Sequence, residues 1–223
     1  MSKLGIVGGL GPAASAYFYS MITDLTDAGC DQEHLELIIY SRPRIPNRTA
    51  YILGESAESP VPMIIDAANA LAGLGAELIA IPCVTAHCFY DEIARAVNAP
   101  VINIMAETVA YLESFNIKQV GLMATDGLIA GGVFPALLAA EGIDVLLPTA
   151  DDQARIMQTI DDYKAGLTQA AAPLSTFPGA DAILLACTEL SLLKRDMRLD
   201  GLYIDMLEIL ARRAIELSGG KCR

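Results

Sequence analysis

Two segments of this chain carry the same pattern: an apolar run that reads as a buried strand, closed by a cysteine where a helix begins. They are Ala76-Glu77-Leu78-Ile79-Ala80-Ile81-Pro82-Cys83 and Ala180-Asp181-Ala182-Ile183-Leu184-Leu185-Ala186-Cys187, offset by 104 residues (187 − 83). Apolar strands without clean alternation, each followed by a helix, indicate parallel sheets covered on both faces. The repeat therefore constrains the chain to an α/β architecture of two similar lobes. In such folds ligands bind beyond the carboxyl ends of the strands, and both cysteines fall at that edge.

Two further echoes support a duplication. Gly5-Ile6-Val7 before a Gly-rich turn resembles Gly121-Leu122-Met123 before Ala124-Thr125-Asp126-Gly127, and Ile104-Met105-Ala106-Glu107 resembles Asp205-Met206-Leu207-Glu208. The patterns predict strands at Leu4–Val7, Leu35–Tyr40, Leu78–Ile81, Val101–Ile104, Val120–Ala124, Val145–Leu147, Ile183–Ala186 and Leu202–Ile204. Helices are predicted from Pro12 to about Thr26, and over Ile64–Leu74, Thr85–Val97, Gly132–Glu141, Ala154–Ala171 and Met206–Leu217. Residues 41–62 read as a long connection, the kind that often serves as a binding loop. The predicted lobes are 1–100 with 206–223, and 101–205. The active site is expected in the cleft between them.

The 223 residues supply ample material for a core, and 53% are hydrophobic against 19% charged. A net charge of −12 argues against a nucleic-acid partner, because little is available to neutralise phosphates. No apolar segment approaches the roughly 20 residues of a membrane span, and no secretion signal is visible. The five cysteines are odd in number and widely spaced. Reduced thiols in a cytoplasm are expected. Without a CxxC pair, and with only His34 and His87, no metal site is expected.

Two thiols facing each other across a cleft suit removal of a proton from one face of a carbon and delivery to the other. A helix N-terminus lowers a thiol pKa, and both cysteines are expected to lie at such an end. Thr85 and Thr188 are expected to cap the following helices and to offer hydroxyl and N–H groups to a carboxylate. Glu189 stands two residues past Cys187, placed to orient the thiol or to cap. His87, one turn beyond Cys83, is expected to cap or pack. Cys30 and Cys88 read as structural.

These residues resemble the aspartate/glutamate racemases, the cofactor-independent amino-acid racemases, and most of all aspartate racemase. The marks are Gly8-Gly9-Leu10-Gly11-Pro12, Asp31-Gln32-Glu33-His34, Ile45-Pro46-Asn47-Arg48-Thr49, Pro82-Cys83-Val84-Thr85-Ala86-His87 and Cys187-Thr188-Glu189. The resemblance implies a homodimer acting on a small amino acid, with Cys83 and Cys187 as paired acid and base and no cofactor. It implies that Arg48 binds a substrate carboxylate and that Lys164 lies near the side-chain carboxylate. The expected binding set is Arg48, Val84, Thr85, Thr125, Lys164 and Thr188, with Gly11 and Glu189 in support. An Arg fork suits a carboxylate. Val84 stands where the family usually has Asn, Ser41-Arg42-Pro43 where it often carries Asn, and Leu128 where Thr is common. These departures bear on the substrate and leave proton transfer intact.

Three rival readings remain at this point. Gly9-Leu10-Gly11-Pro12-Ala13-Ala14 fits the dinucleotide fingerprint G-x-G-x-x-A, although Pro12 removes an N–H that pyrophosphate would use. A thiol enzyme of maleate-isomerase type would use a cysteine to attack carbon. A non-catalytic binder would keep both cysteines as core.

Overall fold

The computed structural model describes residues 1–167, 177–197, 199 and 201–223. The first sheet holds β1 (Leu4–Gly8), β2 (Leu37–Ser41) and β3 (Leu78–Ala80) in the order β2-β1-β3. The second holds β4 (Gln119–Ala124), β5 (Asp144–Leu146), β6 (Ala182–Ala186) and β7 (Tyr203–Asp205) in the order β5-β4-β6-β7. Every pairing is parallel. The predicted α/β class with parallel sheets holds.

The two sheets are wound alike. β1 and β4 are central, and β3 and β6 lie beside them and lead into the two cysteines. The counterpart of β7 in the first sheet shrinks to one parallel bridge, Ile79 with Val101. Two hydrogen bonds flank it, from Ile79 N to Pro100 O (2.8 Å) and from Ile102 N to Ile79 O (2.9 Å). The strand predicted over Val101–Ile104 is thus cut short. The chain turns at Asn103, whose side chain accepts from the N–H groups of Met105 and Ala106 and starts α5 (Ile104–Ser114). Asp205 does the same at the equivalent place. It accepts from Leu207 N and starts α10 (Met206–Leu217).

Other boundaries also differ from expectation. Cys83 is followed by a 3₁₀ segment, Val84–Phe89, and only then by α4 (Tyr90–Ala96). The helix predicted at Gly132–Glu141 is present as α7 (Val133–Ala140), and a further short helix, α6 (Asp126–Gly131), precedes it, the two divided at Gly132 with φ +68°. The long connection contains α2 (Arg48–Ile52), capped by Asn47. α1 (Pro12–Leu25), α3 (Val61–Gly73), α8 (Ala150–Lys164) and α9 (Thr188–Asp196) complete the set among the described residues. Positions 168–171 of the predicted Ala154–Ala171 helix lie outside them.

Strand alternation sends residues to two different cores. Leu4 and Ile6 of β1 share one buried cluster with Val120, Leu122 and Ala124 of β4. α10 completes that shared interior, packing against α1 and α5. Val7 and Ile79 instead face a cluster with α3, and Met123 faces one with α8 and α9. The shared interior joins the two sheets, with α10 packed against strands of both. Leu210 of α10 is fully buried there. Leu210→Ala is expected to lower the unfolding free energy by about 2–5 kcal/mol in urea denaturation.

Candidate active site

The site begins with a turn. β1 ends at Gly8, and Gly9 adopts φ +90°. A side chain at Gly9 would put Cβ 2.5 Å from the Arg42 backbone nitrogen. Ser15, from the first turns of α1, holds this loop closed. Its Oγ accepts from Gly9 N (2.9 Å) and donates to Gly11 O (2.8 Å). Ser15 escapes sequence reasoning because a serine inside a helix carries no signal for such a role.

Gly11 leaves space for a side chain from the other sheet. A Cβ there would lie 2.4 Å from Glu189 Oε1. The other carboxylate oxygen, Oε2, accepts from Cys187 Sγ (3.0 Å) and from Thr188 Oγ1 (3.2 Å). Glu189 is only 4% exposed and Cys187 only 6%. Burial pushes the Cys187 thiol well above its ordinary pKa, and the Glu189 charge and hydrogen bond push the same way. The Glu189 N–H and the Lys164 charge oppose this and are outweighed. The expected lowering at a helix start is overturned for Cys187 by burial and then by its neighbour's carboxylate. The expected caps are corrected too. Cys83 and Cys187 are themselves the cap residues, and neither caps through its side chain.

Thr85 serves elsewhere. Its Oγ1 lies 2.9 Å from Thr125 Oγ1, joining the 3₁₀ segment after Cys83 to the end of β4. Thr125 Oγ1 also accepts from Leu128 N and caps α6. Nearby, α2 packs against α6 so closely that a Cβ on Gly127 would lie 2.7 Å from Thr49 Cα. That contact brings the long connection over the second sheet. It places Arg48, whose guanidinium donates to the carbonyls of Leu10 (3.2 Å), Pro46 (3.1 Å) and Ile45 (3.4 Å). Arg48 Nε is buried without a hydrogen-bond partner, and among the described residues Arg48 forms no ion pair. Lys164 ends α8 and pairs with Asp161 at 3.1 Å. Burial lowers its pKa, but the charges of Cys187, Asp161 and Glu189 and the Asp161 hydrogen bond leave it raised overall.

A cleft of about 380 Å³ unites these groups. Cys83, Cys187, Arg48, Val84, Thr85, Thr125, Lys164, Thr188, Gly11 and Glu189 all line it. Asn47 and Thr49 line it as well, and sequence reasoning passed over them although they flank Arg48. The dinucleotide reading fails on this geometry. The gap at Gly11 is filled by a carboxylate, which would repel a pyrophosphate. Among the described residues no three His, Cys, Asp or Glu side chains gather to hold a metal.

Two parallel sheets flanked by helices, with a cysteine after an equivalent strand of each lining one cleft, define a protein of two-lobed α/β type. The family model described as Asp/Glu/Hydantoin racemase matches residues 7–214, and the chain belongs to that family. It is an isomerase of the racemase class. The chain is 27% identical to the broad-specificity amino-acid racemase RacX of Bacillus subtilis, over 95% of this chain and 96% of that one. It superposes on aspartate racemase from Picrophilus torridus with TM-score 0.89 and 27% identity, covering 100% of this chain and 96% of that one. An aspartate racemase homologue from Pyrococcus horikoshii gives TM-score 0.72 and 26% identity over 98% and 99% of the chains. Glutamate racemase from Francisella tularensis shares the fold at 18% identity and TM-score 0.65, over 97% and 80%.

Gly11→Ala is expected to drive the Glu189 carboxylate away from Cys187. The Cys187 thiol then ionises at lower pH, because a charge and a hydrogen bond that favour the protonated form are gone. The pH dependence of alkylation, mapped to Cys187 by mass spectrometry, checks this.

Proposed function

We propose that the protein is a racemase independent of pyridoxal phosphate that interconverts L- and D-aspartate, with glutamate as the next candidate. Cys83 and Cys187 are its two proton carriers. The convergence of these two thiols on one cleft is the observation that carries the reading. Loss of an amino-acid Cα proton needs a base on one face, an acid on the other and stabilisation of the carbanion between them. One thiolate takes the Cα proton while the opposite thiol delivers another, and the roles exchange with reaction direction.

Charge supports an acidic substrate. The Arg48 guanidinium meets only neutral carbonyls and keeps a buried Nε unpaired, so an incoming α-carboxylate gains a charge-assisted partner. Lys164 stands on the Cys187 side of the cleft for the side-chain carboxylate. Thr85, Thr125 and Thr188 add hydroxyls, and Gly11 keeps room for Glu189. Val84, 2% exposed, gives an apolar wall where the family usually has an amide. Together with the likeness to a broad-specificity racemase, this makes neutral amino acids worth assaying beside aspartate. The same reading takes residues 1–100 with 206–223 and 101–205 as the two lobes of a cytoplasmic homodimer.

Incubation of single enantiomers in deuterated water is the direct test. Deuterium at Cα with loss of optical rotation is expected for aspartate without added cofactor. Cys83→Ser and Cys187→Ser are each expected to lower kcat by roughly 10²–10⁴, and full racemisation by both overturns the two-cysteine mechanism. Lys164→Met is expected to raise KM for aspartate roughly tenfold, about 1.4 kcal/mol, with little change for a neutral amino acid.

A further inference from the structure

β2 is an open edge of the first sheet. Its inner side pairs with β1 in parallel register. Leu4 N donates to Glu36 O (3.0 Å), and Arg42 N donates to Gly8 O (3.0 Å). Strand alternation therefore turns the N–H and C=O groups of Ile38 and Tyr40 toward β1 as well. Leu37, Ile39 and Ser41 turn theirs outward, and among the described residues no strand receives them.

Proteins usually blunt such an edge with Lys, Pro, a bulge or a very short strand. β5 and β7, at the edges of the second sheet, have three residues each. β2 has five, and Leu37–Ser41 contains no Lys, Pro or Gly. Ile39 and Tyr40 are each 40% exposed. Tyr19 of α1, also exposed, shares a cavity with Leu37 and extends the apolar surface beside the strand.

This edge is complementary to itself. Its outward residues are symmetric about Ile39. A second copy laid antiparallel, with Ile39 against Ile39 of the partner subunit, sets Leu37 opposite Ser41 of the partner subunit. Every outward N–H and C=O of both strands then finds a partner. Moving the axis to Ile38 or Tyr40 leaves one outward residue of each strand to pair beyond the strand. The Ile39 register also sets Glu36 opposite Arg42 of the partner subunit, on the face that carries Tyr40. Glu36 already pairs with Lys3 (2.8 Å), and Arg42 pairs with Asp66 and lies over the Tyr40 ring. The added attraction is therefore small and serves register more than affinity. Affinity comes from the backbone bonds and from burial of Ile39 and Tyr40.

We propose that β2 is the interface between two copies of this chain, paired antiparallel about a two-fold axis at Ile39, so that two three-stranded sheets become one of six strands. An isologous contact of this kind closes at the dimer. It gives a surface to the homodimer of the proposed function, and it rests on that part of the reading and not on the proton chemistry.

Sedimentation equilibrium is expected to give about twice the mass of the chain. Ile39→Lys sets like charges on the axis. It is expected to raise the dimer dissociation constant roughly a hundredfold while the circular dichroism stays that of the unsubstituted protein. Cross-linking reads the register. The Cα atoms of a hydrogen-bonded antiparallel pair lie about 5.5 Å apart, within reach of a disulfide. With the exposed Cys30 replaced by Ser, Ile39→Cys is expected to link two copies under mild oxidation, and reductant to release them. Tyr40→Cys in the same background is expected to stay unlinked, because its two copies lie more than about 7 Å apart across the axis. A monomeric unsubstituted protein overturns the inference. So does a dimer that Ile39→Lys leaves unchanged, or an Ile39→Cys protein that fails to cross-link. If Ile39→Lys fails to fold, the cysteine variants still decide. A dimer without Cα exchange would sink the racemase reading alone, and Cα exchange by a monomer would sink only this inference.

Discussion

The Glu189 carboxylate is the group on which the rest of the site depends. It comes from the helix after β6, yet one of its oxygens fills the gap left by Gly11 after β1. Its other oxygen accepts from the thiol of Cys187 and the hydroxyl of Thr188. A nearly buried anion so close to a thiol makes a second negative charge there costly. The same side chain thus helps fix how the two sheet ends approach and which protonation state Cys187 prefers. Ser15 and Arg48, both bonded to the Gly9–Gly11 turn, keep that turn in place to receive it.

Around this contact the fold is close to symmetric. Each sheet places its cysteine after the strand next to the central one, and each closes with a capped helix, through Asn103 in one case and Asp205 in the other. The chemistry is not symmetric. Cys187 opens an α-helix and meets a carboxylate two residues on. Cys83 opens a 3₁₀ segment, and its carbonyl meets an imidazole four residues on. The matching strand order supplies a thiol from each sheet to the cleft, and the next few residues give the two thiols different surroundings. The hydroxyl pair of Thr85 and Thr125 bridges the halves.

Most strands were legible because a strand buried on both faces needs a continuous apolar run, and few other elements do. Where the reading failed, a side chain's partner was at fault. Val101–Ile104 has strand composition, but the Asn103 side chain captures two helix N–H groups and turns the chain after one bridge. Thr85 and Thr188 have capping side chains, but each stands inside its segment; Thr85 bonds across to Thr125 and Thr188 to the carboxylate of the adjacent Glu189. Arg48 and Lys164 were singled out by resemblance. Ser15, Asn47 and Thr49 were not, because serine in a helix and polar residues in a long connection look the same whether or not they line a cleft.

The sequence by itself determined the α/β class, the duplicated pattern and the two strand-end cysteines, because periodicity and spacing are local properties of the chain. Only the tertiary structure decided what each cysteine meets. The Glu189 contact depends on a gap at residue 11, and the bond from the His87 ring to Ile102 on a bridge fifteen residues on. Protonation preference follows from burial and from charges within a few ångströms, and those distances exist only once both sheets have packed on one core.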